Sequence, residues 1–493
     1  MIKQLTIENF RGINSLSKLK VGSFNIIIGD NGTSKTSILE AINHSFSPNF
    51  LSGRIKHTDF RNGSDDPFTV FTELDKSIKA ELPDGYTTQT ITCDKIFLRV
   101  KKRDRKKPGK VLSDSFTVEH ILVPDFPRDK GKDGWTIKRQ TGSKFSFTPR
   151  SLALSVLKTD KLPRTFYFGK DRDRQLKKGF NSSFTNVVED LNWRFDRSIR
   201  KGSGDEPHEM ISMIDEVTNH IHLVSDLDKT EVMKVLKKKL GHFGVDEISL
   251  SLIDSFQPYE SSFFSIEKNH LPLPIQNLGS GYEMIVSLLF LETLASFSKE
   301  KLLILVDEPE LHLHPRLQVK LADYLWKLTS GDNGHQIFIT THSPIFYKST
   351  LKKEGVYTFI TSKDDDDNFE ISELNLNTGL FPWSPSWGEI NYKAYNYPTI
   401  EFHNELYGVI QEKYEKFNEK DVDGFFVEQG LQKSKPWQRE QNGKPGAKYS
   451  CTLPVFIRNK IHHPENTIMQ ESYFSSEDLD QSIKSMIKIL KSE

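Results

Sequence analysis

The sequence predicts an α/β domain, in which a parallel sheet is covered by helices, joined to a separate and mainly helical C-terminal unit. Two observations support this prediction. Near the N-terminus, an apolar strand is followed by a loop rich in glycine, serine and threonine and then by a helix. Between residues 276 and 347, a helix, a strand, a second helix and a second strand follow one another. This alternation is typical of parallel sheets flanked by helices.

The N-terminal elements are predicted from hydrophobic periodicity. IKQLTIENF (2–10) alternates between apolar and polar residues, a turn follows at Arg11 and Gly12, and FNIIIG (24–29) is almost wholly apolar. Alternation indicates a half-buried strand, and a short apolar run indicates a fully buried one. After the loop, apolar residues recur at helical spacing, at Ile38, Leu39, Ile42 and Phe46.

The remaining chain divides into an insertion, a second part of the α/β domain and a C-terminal unit. We expect the first domain to comprise 1–60 and 271–379, with an insertion at 61–270 and the C-terminal unit at 380–493. The insertion is predicted to be rich in strands to about residue 180 and helical to about residue 245. The second part contains the buried strand KLLILVDEP, a helix from about Pro315, and the strand HQIFITTH.

Composition excludes several classes of protein. The 493 residues carry 67 Lys and Arg against 67 Asp and Glu, so the chain is not a wholly basic nucleic-acid binder. It has no apolar run of 18 residues, and its N-terminus lacks the pattern of a secretion signal. The two cysteines, Cys93 and Cys451, cannot form a disulfide framework. We therefore expect a cytoplasmic protein that does not bind a membrane.

Residues 29–36, GDNGTSKT, fit the phosphate-binding pattern G-x-x-x-x-G-K-[ST] except that Ser34 replaces the second glycine. In such a loop, main-chain N–H groups surround the β-phosphate of ATP, Lys35 spans the β- and γ-phosphates, and Thr36 ligates Mg²⁺. Serine is small enough for the loop to close, although this stretch alone also fits a plain turn. The expected nucleotide contacts are Gly29, Asn31, Gly32, Ser34, Lys35, Thr36 and Ser37.

Three later segments favour the nucleotide interpretation. LLILVDEPE (302–310) is a buried strand ending in Asp307, which can hold Mg²⁺, and Glu308, which can polarise the attacking water. The strand before ITTHSP (339–344) ends near His342, which can reach the γ-phosphate. Ser280 and Gly281 lie at the predicted start of a helix, where anions bind readily. We expect Glu308, His342 and Lys35 to be catalytic.

This order of motifs resembles the ABC-type ATPases of the SMC, RecF and OLD (overcoming lysogenization defect) group. The resemblance covers about 1–60 and 270–362. It implies an ABC/SMC-type ATPase head with a mixed sheet flanked by helices. It also implies that Lys35 and Thr36 fall in the Walker A loop, and Asp307 and Glu308 in Walker B. In the same resemblance, 278–283 is the signature, LHLHP (311–315) is the D-loop, His342 is the switch histidine, and Asn9 to Arg11 lie near the nucleotide base.

The same resemblance carries expectations about assembly and function. In these families the signature of one head caps the γ-phosphate held by another, so ATP joins two copies and hydrolysis releases them. The chain lacks a long coiled coil, and its compact insertion resembles anti-phage ATPases of the OLD-like, Septu-like and PARIS-like kinds. This implies an ATP-gated sensor or switch that controls a partner effector, such as a nuclease, and responds to a phage protein.

The C-terminal unit contains a second candidate site. Arg458 to His463 matches R-N-x-x-x-H, which resembles the motif of HEPN-type ribonucleases that need no metal. There, histidine acts as acid or base and arginine steadies the phosphate. The alternative is that these residues cap the end of a helix, or contact the ATPase part or a partner. A Toprim nuclease would need an Asp-x-Asp after a buried strand, and Asp421 and Asp423 follow none.

Two further segments suggest partners. KKRDRKKPGK (101–110) carries seven basic residues and can contact nucleic acid, as in a RecF-like DNA repair ATPase. A solvated hairpin tip is the alternative for this segment. Residues 389–410 are rich in aromatic side chains, which fit either a packed pair of helices or a surface that binds a second protein.

Overall fold

The computed structural model forms two compact units, Met1–Ile371 and Ser372–Glu493. The second unit begins before residue 380, where the sequence pattern places the start of the C-terminal segment. The residues that the structure describes are 1–46, 55–81, 90–102, 116–124, 128–131, 134–138, 144–147, 153–154, 162–169, 231–245, 248–251, 263–268, 271–274, 280–297, 300–330, 334–350, 353–364, 366–374, 380–384, 386–441 and 444–491.

The strands and helices are numbered along these described residues. The strands are Ile2–Phe10 (β1), Ile13–Lys20 (β2), Phe24–Gly29 (β3), Phe68–Glu81 (β4), Thr90–Lys102 (β5), Phe116–Pro124 (β6), Arg128–Gly131 (β7), Gly134–Lys138 (β8), Lys144–Phe147 (β9), Arg164–Phe168 (β10), Ile248–Ser251 (β11), Phe263–Lys268 (β12), Leu271–Pro274 (β13), Leu302–Asp307 (β14), Gln336–Thr340 (β15), Val356–Lys363 (β16), Phe369–Glu373 (β17), Lys435–Gln441 (β18) and Lys444–Cys451 (β19). The helices are Lys35–Phe46 (α1), Glu231–Gly241 (α2), Ser280–Phe297 (α3), Pro315–Leu328 (α4), Pro344–Thr350 (α5), Trp387–Tyr395 (α6), Ile400–Lys413 (α7), Glu419–Glu428 (α8), Leu453–His462 (α9) and Ser476–Lys491 (α10).

A six-stranded sheet with the order β10-β14-β15-β3-β16-β17 organises the first unit. The pairs β10–β14, β14–β15, β15–β3 and β3–β16 are parallel. Every residue of β3, β14 and β15 is buried, as expected for strands covered on both faces. Because these strands run in one direction, their carboxyl ends meet at the same edge of the sheet.

A second sheet, with the order β2-β1-β4-β5-β6, is antiparallel throughout. Helix α1 packs between the two sheets, and its residues Ile38, Leu39 and Ile42 are fully buried in the shared apolar core. Burial of side chains of this size stabilises a fold by about 1.5–3 kcal/mol each. The loop that precedes α1 is therefore fixed by the core at its helical end.

The C-terminal unit contains helices α6 to α10 and the antiparallel hairpin of β18 and β19. The sequence predicts a mainly helical unit and does not predict this hairpin. Trp437 of β18 is fully buried beside Phe456 of α9, with ring centroids 6.1 Å apart. The hairpin is thus part of the core of this unit.

The predicted fold class is confirmed as a mixed α/β head with strands and helices in the predicted order. The predicted helix from about Pro315 coincides with α4. Most of the helical part predicted for the insertion lies outside the described residues, which contain α2 of that part. No helix among the described residues is long and apolar enough to cross a membrane.

Candidate nucleotide site

The loop at 29–36 joins β3 to α1 at the carboxyl edge of the six-stranded sheet. Gly29 and Gly32 have φ values of 148° and 75°. A Cβ atom on Gly29 would lie 2.3 Å from the main-chain oxygen of Thr361, so glycine is required there. The Thr33 hydroxyl lies 2.7 Å from the Thr361 hydroxyl and ties the loop to β16. Asn31 donates its main-chain N–H to the Asp30 carboxylate at 2.6 Å.

Ser34 adopts the left-handed conformation, with φ of 64°, that glycine usually supplies. Room for its side chain comes from Gly12, because a Cβ atom on Gly12 would lie only 2.1 Å from the Ser34 hydroxyl oxygen. The loop therefore keeps its curled shape without the second glycine. The structure reveals this compensation because it places Gly12 next to Ser34, whereas in the sequence Gly12 belongs to a separate turn.

Lys35, the first residue of α1, is buried and donates its ammonium group back to the loop. Its Nζ lies 3.0 Å from the carbonyl oxygen of Gly29 and 2.7 Å from that of Asp30. Burial lowers the pKa of Lys35 to about 8, although the nearby carboxylates of Glu308 and Asp307 oppose this shift. Ser37 is buried on the same helix.

Thr36 and Asp307 come together although they lie 271 residues apart in the sequence. The Thr36 hydroxyl donates to the two Asp307 carboxylate oxygens at 3.1 and 3.0 Å. The Thr340 hydroxyl at the end of β15 also donates to Asp307. Hydroxyl and carboxylate oxygens are the ligands that Mg²⁺ prefers. The donor set thus fits a magnesium ion held by Thr36 and Asp307, as the sequence predicts.

Glu308 and His342 face each other across the ends of β14 and β15. Glu308 Oε1 lies 3.8 Å from His342 Nε2, and both side chains are partly exposed. Glu308 has φ of 49°, and its N–H donates to the Thr340 carbonyl oxygen at 3.0 Å. A carboxylate and an imidazole this close can share a water molecule or a proton. The structure brings these two predicted residues together.

Glu310 belongs to the same edge, although the sequence analysis gave it no role. Its carboxylate accepts the Thr341 hydroxyl at 2.8 Å and the His342 main-chain N–H at 2.7 Å. Burial raises the pKa of Glu310, against the opposing effect of these hydrogen bonds. In the sequence, Glu310 is visible only as a third carboxylate in the segment LVDEPE, which does not reveal its partners.

The signature segment lies only partly within the described residues, because Leu278 and Gly279 fall outside them. Helix α3 begins at Ser280, as predicted. A Cβ atom on Gly281 would lie 2.6 Å from the Leu313 side chain and 2.9 Å from the His312 carbonyl oxygen. The start of α3 therefore packs directly on 311–315, the segment that resembles a D-loop.

Arg11, which the resemblance placed near the nucleotide base, forms ion pairs within the first unit. Its guanidinium group pairs with Glu40 of α1, and its Nη2 lies 2.9 Å from the buried Asp59. Asn9 donates its side-chain amide to the Pro67 carbonyl oxygen at 3.5 Å. The pair with Glu40 joins the turn after β1 to α1.

Arg458 and His463 of the R-N-x-x-x-H segment contact different residues. Arg458 donates to the Asn404 side chain at 3.1 Å, and its guanidinium lies 5.3 Å from the centre of the Tyr407 ring. His463, just beyond the end of α9, is exposed and lies 3.0 Å from the Glu465 carboxylate. The structure therefore shows Arg458 in contact with α7 and His463 at the surface.

The structure also describes Asp421 and Asp423 and the beginning of the basic segment 101–110. Asp421 and Asp423 lie in helix α8, where Asp423 accepts the Thr452 N–H at 2.8 Å and pairs with Lys433 at 2.9 Å. These two residues therefore lie in a helix and do not follow a buried strand, as a Toprim site would require. Of the basic segment 101–110, residues 103–110 lie outside the described residues, and Lys102 pairs with Asp65 at 3.0 Å.

Comparison with known proteins places the chain among ATPases. A model of the AAA ATPase domain family matches residues 1–347, more than half of the chain. An OLD nuclease from Thermus scotoductus is 23% identical over 383 residues, which are 76% of this chain and 64% of the nuclease. A Septu protein PtuA from Bacillus thuringiensis is 42% identical over 64 residues, which are 13% of this chain and 16% of that protein.

The chain thus spans less than two thirds of the length of these relatives. The Smc head solved with the C-winged helix domain of ScpA is similar with a TM-score of 0.41 at 13% identity, covering 76% of this chain and 98% of that one. The predicted resemblance to ATPases of the OLD kind, and to ATPases of defence systems, is confirmed by these matches. The chain belongs to the AAA ATPase domain family and is an ATPase.

Proposed function

We propose that this ATPase is an ATP-gated switch in anti-phage defence, which holds a partner effector of the nuclease class and responds to a phage protein. The observation that supports a working switch is the convergence of the Thr36–Asp307 pair and the Glu308–His342 pair at one sheet edge. Defence is supported by the similarity to an OLD nuclease and to Septu proteins PtuA.

In the proposed reaction, each polar residue of this edge has one task. Thr36 and Asp307 would hold Mg²⁺, which when bound would supply positive charge beside the β- and γ-phosphates. Lys35 exchanges its two carbonyl partners for phosphate oxygens. Glu308 orients a water molecule and takes its proton as the water oxygen attacks the γ-phosphorus, while ADP leaves. His342 contacts the γ-phosphate beside this water.

The proposed switch needs a second copy of the chain. Ser280 and Gly281 at the start of α3 cap the γ-phosphate bound to the loop of the partner head, so ATP joins the heads. Gly281 supports this role because it lets α3 pack against the segment 311–315, which fixes the position of the helix start. The joined and separated states then have different affinities for the effector, and ATP shifts the balance between them.

The test is Glu308→Gln, with the exposed Glu373→Gln as the matched control. We expect ATP turnover to fall at least about 100-fold in Glu308→Gln, because the water loses its proton acceptor. ATP binding should persist, and the ATP-bound dimer should outlast the wild-type dimer in size-exclusion chromatography. Unchanged turnover would show that Glu308 does not activate the water.

Control of an effector requires a second test. A candidate nuclease co-expressed with the chain should co-purify to different extents with Glu308→Gln in ATP and with Lys35→Ala, which cannot hold the phosphates. Equal recovery with both variants would contradict gating by ATP. Nuclease activity measured in the two complexes would show which state restrains the effector.

A self-contained ribonuclease is the second candidate, supported by the exposed His463–Glu465 pair near Arg458 in the sequence. The imidazole would act as acid or base at the 2′-hydroxyl, and Arg458 would steady the phosphate. Purified protein should then cleave end-labelled cellular RNA, with cleavage lost in His463→Ala and retained in the control His57→Ala. If the protein hydrolysed ATP but cleaved no RNA, the ribonuclease hypothesis would be contradicted, and the switch would require a separate effector.

A further inference from the structure

We propose that Glu310 is a positioning residue for ATP hydrolysis, which fixes the main chain at His342 and so sets the imidazole beside Glu308. This inference rests on the proposed roles of Glu308 and His342. Glu310 itself does not touch the reacting atoms in the proposed reaction. It acts by joining the turn after β14 to the loop after β15.

Two attachments join these segments. At the first, the Glu308 N–H donates to the carbonyl oxygen and the hydroxyl of Thr340, at 3.0 and 3.2 Å. At the second, Glu310 Oε2 accepts the Thr341 hydroxyl at 2.8 Å and Oε1 accepts the His342 N–H at 2.7 Å. The Glu308 side chain therefore lies on a turn that is held at both ends.

The second attachment lies where the chain leaves the sheet. The Thr341 N–H still donates to Ile27 of β3 at 3.1 Å, whereas the next N–H, that of His342, goes to Glu310. The Thr341 hydroxyl, besides donating to Glu310, accepts the Ser343 N–H at 2.9 Å. Glu310 thus fixes His342 directly and Ser343 through one hydroxyl.

A residue in this place needs two acceptor atoms that point at neighbouring groups, which a carboxylate supplies. Hydrogen bonds to an ionised acceptor are about twice as strong as neutral ones. Without them, only the attachment of Glu308 to Thr340 would join the two segments, and the separation of 3.8 Å between Glu308 Oε1 and His342 Nε2 would be less well fixed. Misplacement of reacting groups by about 1 Å can lower a rate about 100-fold.

The experiment compares Glu310→Ala and Glu310→Gln with the exposed control Glu373→Ala. In Glu310→Ala we expect kcat to fall by about 10- to 100-fold. Nucleotide affinity should stay within about threefold, because Glu310 contacts neither Lys35 nor Thr36 through a hydrogen bond. The His342 amide, followed by hydrogen–deuterium exchange in the protein without nucleotide, should exchange faster. Glu310→Gln should restore the slow exchange of the His342 amide and part of kcat, since its amide oxygen can accept the His342 N–H whereas its NH₂ group cannot accept the Thr341 hydroxyl.

Exchange separates this inference from the proposed roles. Unchanged exchange at His342 in Glu310→Ala would overturn it, as would faster exchange with unchanged kcat. If nucleotide affinity and unfolding temperature fell together with kcat in Glu310→Ala, Glu310 would have a structural role only, and the inference would also be overturned. If Glu308→Gln kept full turnover while Glu310→Ala still exposed the His342 amide, the proposed role of Glu308 would fail and the hydrogen bond would stand.

Discussion

The ATP site and the R-N-x-x-x-H segment show two ways in which a sequence motif meets the fold. In the ATP site, residues 271 positions apart in the chain form direct hydrogen bonds, as Thr36 and Asp307 do. In the C-terminal unit, Arg458 and His463 come from six consecutive residues, yet each contacts a different partner. Contact across the chain depends on the whole sheet, whereas local spacing depends on one helix.

This difference teaches how much weight each motif carries. The carboxyl ends of β3, β14 and β15 meet at one edge, and each contributes a polar group there. A structural purpose alone does not require a lysine, a hydroxyl, two carboxylates and an imidazole at that edge. Arg458 has a sufficient structural purpose, because it contacts Asn404 and Tyr407 within its own unit.

The largest expected effect distinguishes the two regions directly. Lys35→Ala removes the ammonium group that we propose binds the phosphates, so ATP turnover should fall at least about 100-fold and nucleotide affinity should fall with it. His463→Ala should leave both quantities within about twofold of wild type. The measurement is steady-state phosphate release together with binding of a fluorescent ATP analogue.

The exposed Lys79→Ala is the matched control for removal of a lysine side chain. A similar loss of turnover in Lys79→Ala would mean that the effect of Lys35→Ala is not specific to the loop. A loss of turnover in His463→Ala would contradict the expected difference between the two regions, because it would show that the C-terminal motif affects ATP hydrolysis.

The next effect concerns His403, a buried histidine beside Arg458 in the C-terminal unit. Its Nε2 lies 3.0 Å from the Ser482 hydroxyl, and the groups that face it are Arg458 of α9 and the Tyr407 ring of α7. Burial, and next the charge of Arg458, lower the pKa of His403 from 6.5 to about 3.

The sign of the pH dependence follows from this shift. Below pH 6.5 the unfolded chain takes up a proton at His403, whereas the folded unit does not until about pH 3. Stability from this group is therefore full above pH 6.5 and is lost as the pH falls, by about 2 kcal/mol between pH 6.5 and 5. Urea unfolding of the C-terminal unit, followed by exchange of α10 amides, should show this loss. His403→Gln should flatten the pH dependence of stability, whereas the control His462→Gln, at an exposed histidine, should not. An equal pH dependence in the wild type and both variants would contradict the assignment of this effect to His403.

The parts of the molecule that the sequence predicted share one property, which is a regular pattern along the chain. Strands β3 and β14 are unbroken apolar runs, and α1 repeats its apolar residues at helical spacing. Glu310 and Gly12 could not be predicted, because their roles depend on neighbours that only folding supplies. The hairpin β18–β19 escaped prediction since Lys435–Cys451 alternates poorly, and the burial of Trp437 decides its conformation.

A smaller effect is expected for Arg458, whose structural role can be measured. Arg458→Ala removes the hydrogen bond to Asn404 and the contact with Tyr407, and should lower the free energy of unfolding of the C-terminal unit by about 1–2 kcal/mol. The control Arg439→Ala, at a half-exposed pair with Glu419, should cost less than about 1 kcal/mol. If Arg458→Ala abolished RNA cleavage while stability stayed unchanged, the result would support the ribonuclease interpretation and contradict a structural role of Arg458.

The smallest effect tests how the phosphate loop tolerates its departure from the glycine pattern. Ser34 has φ of 64°, and glycine adopts this conformation without a steric cost, so Ser34→Gly should raise stability by up to about 1 kcal/mol. ATP turnover should stay within about twofold of wild type, because Lys35 and Thr36 are unchanged. Urea unfolding and phosphate release measure the two quantities.

Gly12→Ala sharpens the same point, because its new Cβ atom would lie 2.1 Å from the Ser34 hydroxyl oxygen. Alone, it should destabilise the protein by about 1–2 kcal/mol through overpacking. Combined with Ser34→Gly, the clash disappears, so a double-mutant cycle should give a coupling of about 1 kcal/mol between the two positions. Additive effects would mean that the Ser34 side chain turns away when Gly12 is replaced, and that the two residues do not compensate for each other. A coupling would instead show that a departure within the phosphate loop is accommodated by a turn outside it, which no reading of the loop pattern alone can reveal.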